Sequence, residues 1–256
     1  MARQSIYNQN YVMALFDEMA ETYGWVNYLS SFGFAKRWRV ECVDQIRLAT
    51  GMTVDDWMSG MGETWEIVLG RIHASGCLMA VDFSHEMCEH ARRKSTFRKH
   101  ENIVLLEQDI LTNTLPDASA DCIISTFGLK TFSDEQKLRL AQEMRRVLKS
   151  GGQFSLLEIS VPLNPLLRPL FMFYLKYCIP LIGALFLGDP HSYRMLGVYT
   201  ERFGNCATMS RILADCGFQV RYKVHFLGCA TSVSGVKPTD EAGICEGAAG
   251  VYTNAL

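Results

Sequence analysis

The chain has 256 residues, 48% hydrophobic and 20% charged, enough to bury the core of one globular domain. A formal net charge of −2 excludes the broadly basic surface of a nucleic-acid-binding protein. Nine scattered cysteines without a CxxC pair, and no secretory signal, predict reduced thiols in a cytosolic protein rather than a disulfide framework.

Residues 8–49 read as helical. Tyr11, Leu15, Phe16 and Met19 recur at helix spacing, and Trp38, Cys42, Val43 and Ile46 do so again, with a turn predicted at Tyr23-Gly24-Trp25-Val26-Asn27. From Thr53 the pattern changes to alternating strands and helices. Thr53–Met58 reads as a strand ended by Ser59-Gly60-Met61-Gly62, and a helix over 64–74 follows. Cys77–Val81 is a strand ended by Asp82. The helix over 84–98 leads into a basic run, Arg92, Arg93, Lys94, Arg98, Lys99 and His100, read as its solvated end. His85, Cys88 and His90 are not read as metal ligands, because the two histidines do not share a helix face. Ile103–Glu107 is a strand ended by Asp109. Cys122–Thr126 is another, followed by a helix over 134–148, the stop Lys149-Ser150-Gly151-Gly152 and a strand over 153–159. Strands separated by helices predict a parallel sheet covered on both faces, with ligands at the carboxyl ends of the strands.

Leu163–Leu187 is the most apolar stretch. Arg168, Lys176 and Pro165, Pro169 and Pro180 interrupt it, Pro162 precedes it, and Tyr177–Gly188 offers only 12 uncharged residues. A spanning helix needs about 20, so the segment is read as an apolar helical cap inserted at about 160–205. Ala207–Cys216 reads as a helix, and Phe218–Phe226 and Cys229–Val233 as two closing strands. The expected architecture is α/β: one Rossmann-like domain over 1–236 with a mostly parallel seven-stranded sheet, then a tail over 237–256.

Three strand ends carry the chemistry. The glycine turn at Gly60–Gly62 lets backbone approach a ligand closely. Asp82, 20 residues beyond Gly62, can accept two ribose hydroxyls. Together these fit a nicotinamide or an S-adenosylmethionine (SAM) site. Asp109-Ile110 favours SAM, with an acid for the adenine amino group and an apolar neighbour for the ring. The dinucleotide spacing G-x-G-x-x-G is broken, because Trp65 occupies the third position.

Over residues 14–233 the chain resembles the UbiE-like ubiquinone/menaquinone-biosynthesis C-methyltransferases, which are class I SAM-dependent enzymes. The likeness rests on Phe16-Asp17 with Tyr23 and Asn27, Ser31-Phe32-Gly33 with Trp38, Leu115-Pro116, Phe127-Gly128-Leu129, Arg146 to Gly152, Leu157-Glu158 and Asp189 to Leu196. The resemblance implies that Gly60, Met61 and Gly62 line the methionine part of SAM, that Asp82 holds the ribose, with Phe83 also at the donor, that Asp109 and Ile110 hold adenine, and that Thr126 sits beside the sulfonium. It places Tyr23, Lys130, Thr131, Tyr193 and Arg194 at the acceptor. Lys130 is the candidate for stabilising a phenolate, with Tyr23 and Tyr193 orienting it.

Two departures stand out. The family's donor loop commonly reads Gly-Gly-Thr-Gly-Asp where this chain has Ser59-Gly60-Met61-Gly62-Glu63, and Met61 removes a hydroxyl able to bond the SAM carboxylate. Lys130-Thr131 replaces the usual Arg-Asn. The expectation is a methyltransferase acting on a small aromatic or lipophilic, quinol-like acceptor at carbon. Oxygen or nitrogen methylation in specialised metabolism, and a SAM-binding protein that no longer methylates, stay open. So do a homodimer and peripheral membrane contact through 163–187.

Overall fold

The computed structural model describes residues 6–98, 101–185 and 189–239. Lys99, His100, Leu187 and most of the expected tail lie outside the described residues. Seven strands form one sheet: β1 (Thr53–Trp57), β2 (Cys77–Asp82), β3 (Ile103–Glu107), β4 (Ala120–Thr126), β5 (Leu148–Ile159), β6 (Gln219–His225) and β7 (Ala230–Val236). Their order is β3-β2-β1-β4-β5-β7-β6. The first five are parallel, and β7 runs antiparallel to both β5 and β6. Strand order reverses between β1 and β4, where open α/β sheets bind ligands.

Nine α-helices accompany the sheet among the described residues: α1 (Gln9–Ser30), α2 (Phe34–Val43), α3 (Trp65–Ile72), α4 (His85–Arg98), α5 (Asp134–Val147), α6 (Leu167–Phe173), α7 (Ile179–Leu185), α8 (Pro190–Phe203) and α9 (Ala207–Asp215). The central strands are buried on both faces, so alternate residues feed two cores. Trp57, Ile123 and Phe154 pack with α5 and α9, whereas Val54, Leu78 and Ile124 pack with Trp65, Val68 and Ile72 of α3.

Two boundaries differ from the sequence reading. The turn expected at Tyr23–Asn27 is absent, and α1 runs through it. A lone glycine costs a helix only about 1 kcal/mol relative to alanine. Buried Val26 shares a cluster with Tyr193 and Tyr199 that holds the helix together. The break comes later, at Phe32 and Gly33, whose φ angles are 49° and 81°. The strand expected from 153 begins at Leu148, so the Lys149–Gly152 stop lies within β5, with Gly151 at φ 75°.

The apolar segment folds into α6, a widened π turn over Tyr174–Cys178, and α7. The Ile179 amide bonds back to the Tyr174 carbonyl, five residues earlier. Pro180 supplies the reason: in a regular helix its ring would strike the Lys176 carbonyl, and a wider turn relieves that contact. No helix among the described residues is long and apolar enough to cross a membrane. Asp189 caps α8 by accepting from the His191 and Ser192 amides, with Pro190 at the first helical position. Ser192 Oγ donates to Glu18 at 2.8 Å, and the hydroxyls of Tyr193 and Thr22 are 2.8 Å apart, so α8 is fastened to α1.

Asp55 lies within β1 and is 1% exposed. It accepts a hydrogen bond from Trp57 Nε1 at 3.3 Å, while its Oδ1 has no partner. Burial pushes its carboxyl up to about 7. The folded state therefore holds this proton between about pH 4 and 7, where the unfolded chain has released it, and stability falls as pH rises through that window. Asp55→Asn is expected to remove much of that fall, roughly 4 kcal/mol at most. Urea midpoints at pH 5 and pH 8 check this: the variant should overtake the parent at pH 8.

Candidate active site

Two cavities meet above the carboxyl ends of β1, β2 and β4. The first is a narrow crevice of about 70 Å³ lined by both apolar and polar side chains. Of the residues expected to hold the donor, it is lined by Gly60, Asp82, Phe83, Asp109, Ile110 and Thr126. Asp82 organises its floor. One carboxylate oxygen accepts from the Gly60 amide at 2.7 Å and the other from Ser84 at 3.0 Å. Burial raises this carboxyl to about 6, against the lowering effect of those amides. Asp109 accepts from the Leu111 amide at 3.0 Å and from the Gln9 side-chain amide. Met61 and Gly62 stand behind the crevice and do not line it. Gly62 is required there for another reason: at φ 74° a Cβ would sit 2.4 Å from the Trp65 ring. Lys94, expected at a solvated helix end, turns inward, and its ammonium donates to the Gly62 carbonyl at 2.5 Å.

Four buried polar atoms around this crevice have no hydrogen-bond partner: Arg39 Nε, Ser59 Oγ, Glu63 Oε1 and Gln108 Nε2. Buried polar groups are normally satisfied, so such a concentration marks a ligand's polar contacts. Arg39 is 7% exposed, lies 3.6 Å from Glu63 Oε1 and stacks over the Phe127 ring at 5.0 Å. Asp56 lies among the same charges, its carboxyl pushed well up by burial and then by Glu63.

The second cavity is larger, about 350 Å³, and mostly apolar. Val26, Trp38, Leu170, Phe171, Leu175 and Ile179 are among its walls, together with Lys130 and Tyr193. Lys130 is buried. Its ammonium donates to Glu158 Oε1 at 3.0 Å and to the Phe127 carbonyl, leaving one of three donors uncommitted to these partners. Thr131 lines the first crevice, its hydroxyl donating to the Gly128 carbonyl at 2.7 Å. Arg194 is exposed on α8 and lines neither cavity, so the fold does not bring it to the residues with which it was expected to act. Its side chain stands one position past the inward-facing Tyr193.

Tyr23 and Phe127 line both cavities and form the wall between them. Burial, reinforced by Glu63, raises the Tyr23 hydroxyl, which stays a neutral phenol. Phe127 at φ 68° and Met58 at φ 56° both hold left-handed backbone at the ends of β4 and β1. For bulky residues that conformation is strained by about 1–3 kcal/mol, a pattern that gathers at functional sites.

A sequence model of the ubiE/COQ5 methyltransferase family matches residues 4–237. The chain belongs to that family. It is 31% identical to a demethylmenaquinone methyltransferase of Lactiplantibacillus plantarum over 93% of this chain and 99% of that protein. A demethylmenaquinone methyltransferase of Thermus thermophilus is 30% identical over 88% of this chain and all of its own length. Among solved structures, a SAM-dependent methyltransferase from Aquifex aeolicus superposes with a TM-score of 0.57 at 20% identity, covering 84% of this chain and 97% of that one. A phosphoethanolamine N-methyltransferase of Haemonchus contortus, solved with S-adenosyl-L-methionine, gives 0.63 at 14% identity, covering 93% and 61%. The fold is that of class I methyltransferases, and the methyltransferase takes SAM as its donor.

The residues present fit that donor. SAM ends in an ammonium and a carboxylate, and the crevice is lined by the buried guanidinium of Arg39, whose Nε has no hydrogen bond, and by a carboxylate oxygen of Glu63 with none, the two groups 3.6 Å apart. Neither was legible as a site residue in the sequence. One signal was there: Arg39 interrupts the line Ala35, Arg39, Val43, which is otherwise apolar at four-residue spacing and faces inward.

Proposed function

We propose that this methyltransferase alkylates a ring carbon of a quinol-type aromatic acceptor bearing an apolar substituent. The observation that carries the reading is the shared wall. A narrow crevice suited to the donor and an apolar cavity of about 350 Å³ share Tyr23 and Phe127 as lining residues, with Lys130 on the apolar side. The names of the bacterial relatives support a quinone-type acceptor.

In this reading SAM supplies an electrophilic methyl group, and the chain supplies position and charge. Asp82 and Phe83 hold the ribose, Asp109 and Ile110 the adenine, Gly60 and Thr126 flank the reactive end, and Arg39 and Glu63 grip the amino-acid end. Adenine takes the Asp109 oxygen now occupied by the Gln9 amide. Carbon methylation needs an electron-rich ring. The free donor of the Lys130 ammonium would hold the acceptor's oxygen as a phenolate, which loads electron density onto the adjacent carbon. That carbon takes the methyl group as the donor departs as a neutral thioether, and it gives up its own proton to water to restore the aromatic ring. Neutral Tyr23 orients the ring by donating a hydrogen bond, with Tyr193 closing the cavity behind it. Alignment of the two reactants is the main source of acceleration, worth about 7–11 kcal/mol in model systems.

Incubating the enzyme with SAM and a prenylated naphthohydroquinone that lacks the ring methyl tests the proposal. Proton NMR of the product should show a new methyl on carbon. A methyl ether would replace carbon by oxygen methylation, and no product from any quinol would remove the acceptor class.

A further inference from the structure

The cap carries an outward-facing apolar stripe, of which only Leu170 also lines the apolar cavity among the described residues. Leu166, Leu170, Phe173, Tyr177, Leu181 and Leu185 succeed one another at three- or four-residue spacing along α6, the π turn and α7. All six are exposed, Leu166 by 79% and Leu185 by 74%. Such a row of large apolar side chains on one side of a helix is rare on a monomer without a docking role.

The stripe runs up to the mouth of the apolar cavity. Leu170, Phe32 and Phe226 each line that cavity and are also more than half exposed. Phe32 follows α1, Leu170 lies on α6, and Phe226 follows β6. The three segments that frame the mouth, residues 28–37, 160–185 and 219–228, contain Lys36, Arg37, Arg168, Lys176, Arg221 and Lys223 and not one Asp or Glu. The whole chain, by contrast, carries a small acidic excess. Arg37 pairs with Glu41 and Lys176 with Glu201, both outside these segments. The other four cations have no ion pair among the described residues and are exposed.

We propose that this face docks on a membrane surface containing anionic lipid. The leucine and aromatic stripe enters the headgroup–acyl boundary, the basic residues meet the lipid phosphates, and the apolar cavity opens toward the acyl layer. An apolar helical face combined with basic residues is the signature of an element lying in the interface plane, and the attraction of each part adds. A second copy of the chain is a poorer occupant, because a symmetric pairing through this face brings the unpaired cations of two basic rims together. The inference stands on the surface alone and holds for any lipophilic acceptor.

Co-sedimentation of the full chain with vesicles tests it without reference to turnover. Binding to vesicles of equal parts phosphatidylglycerol and phosphatidylcholine should exceed binding to pure phosphatidylcholine at least tenfold, and should weaken with added salt. Leu166→Gln, Phe173→Gln, Leu181→Gln and Leu185→Gln combined should lower binding at least tenfold. None of the four lines either cavity, and circular dichroism should be unchanged. Lys36→Gln, Arg168→Gln and Lys223→Gln combined should erase the preference for phosphatidylglycerol while leaving weak binding to both vesicles. Equal binding by the parent and the apolar variant would overturn the proposal. So would a dimer in light scattering that the apolar variant dissociates, with no vesicle binding by the parent. A negative acceptor assay leaves the vesicle result intact, so this inference and the acceptor proposal fail separately.

Discussion

Lys130→Met is expected to abolish methyl transfer and to destabilise the fold by about 3–5 kcal/mol, the usual cost of stranding one member of a buried ion pair. Glu158 is fully buried, and its oxygens also accept from the Lys130 amide at 3.0 Å and the Ile159 amide at 2.8 Å. Removing the ammonium leaves a carboxylate with two backbone donors and no countercharge, and strips the Phe127 carbonyl of a donor. The double variant Lys130→Met with Glu158→Gln separates stability from chemistry. Its glutamine oxygen keeps one of the two backbone donors, which the carboxylate holds on separate oxygens, and its amide nitrogen carries no charge to strand. Urea denaturation should show part of the lost stability restored, while the initial rate stays at least a hundredfold below the parent. A double variant that turns over normally would strip Lys130 of its role at the acceptor oxygen and leave it a structural lysine.

Arg39→Met is expected to weaken SAM binding ten- to a hundredfold. Hydrogen bonds to a charged partner are worth about 1.5–3 kcal/mol, and methionine preserves the packing over Phe127 while deleting the charge. Arg39→Lys should recover part of the loss. The decisive comparison is 5′-methylthioadenosine, which shares the nucleoside and lacks the amino-acid end. Calorimetry should find it bound equally by parent and variant. Equal weakening of both ligands would mean that the substitution had deformed the crevice, and that the guanidinium does not meet the carboxylate.

These two residues show where sequence reading stops. The sheet was legible because its signals are local: apolar runs of strand length, each ended by a glycine turn or an acid, separated by helical patterns. The same locality made Gly60, Asp82 and Asp109 readable as three strand ends, and all three line one crevice. Arg39 reaches that crevice from α2, a helix whose packing against the strand ends no short window of sequence encodes. Lys130 was legible as a site residue, but its pairing with Glu158, 28 positions away, depends on the parallel register of β4 and β5. Arg194 was misplaced for a local reason too. A motif names neighbours, whereas on a helix adjacent residues point about 100° apart, so Tyr193 faces inward and Arg194 does not. The expected turn at Tyr23–Asn27 failed because Gly24 looked like punctuation where burial of Val26 and its neighbours decides the outcome.

The π turn ahead of Pro180 also alters helical phase. A row taken every fourth residue of a regular helix creeps around the axis by some 40° per step, so Phe173, Tyr177, Leu181 and Leu185 would spiral away from Leu166 and Leu170. A turn that closes over five residues rotates less per residue and winds that creep back. One proline thus keeps two short helices in angular register as a single flat edge, and a Pro180→Ala variant that regained ordinary winding would be expected to skew that edge without changing a single residue exposed on it.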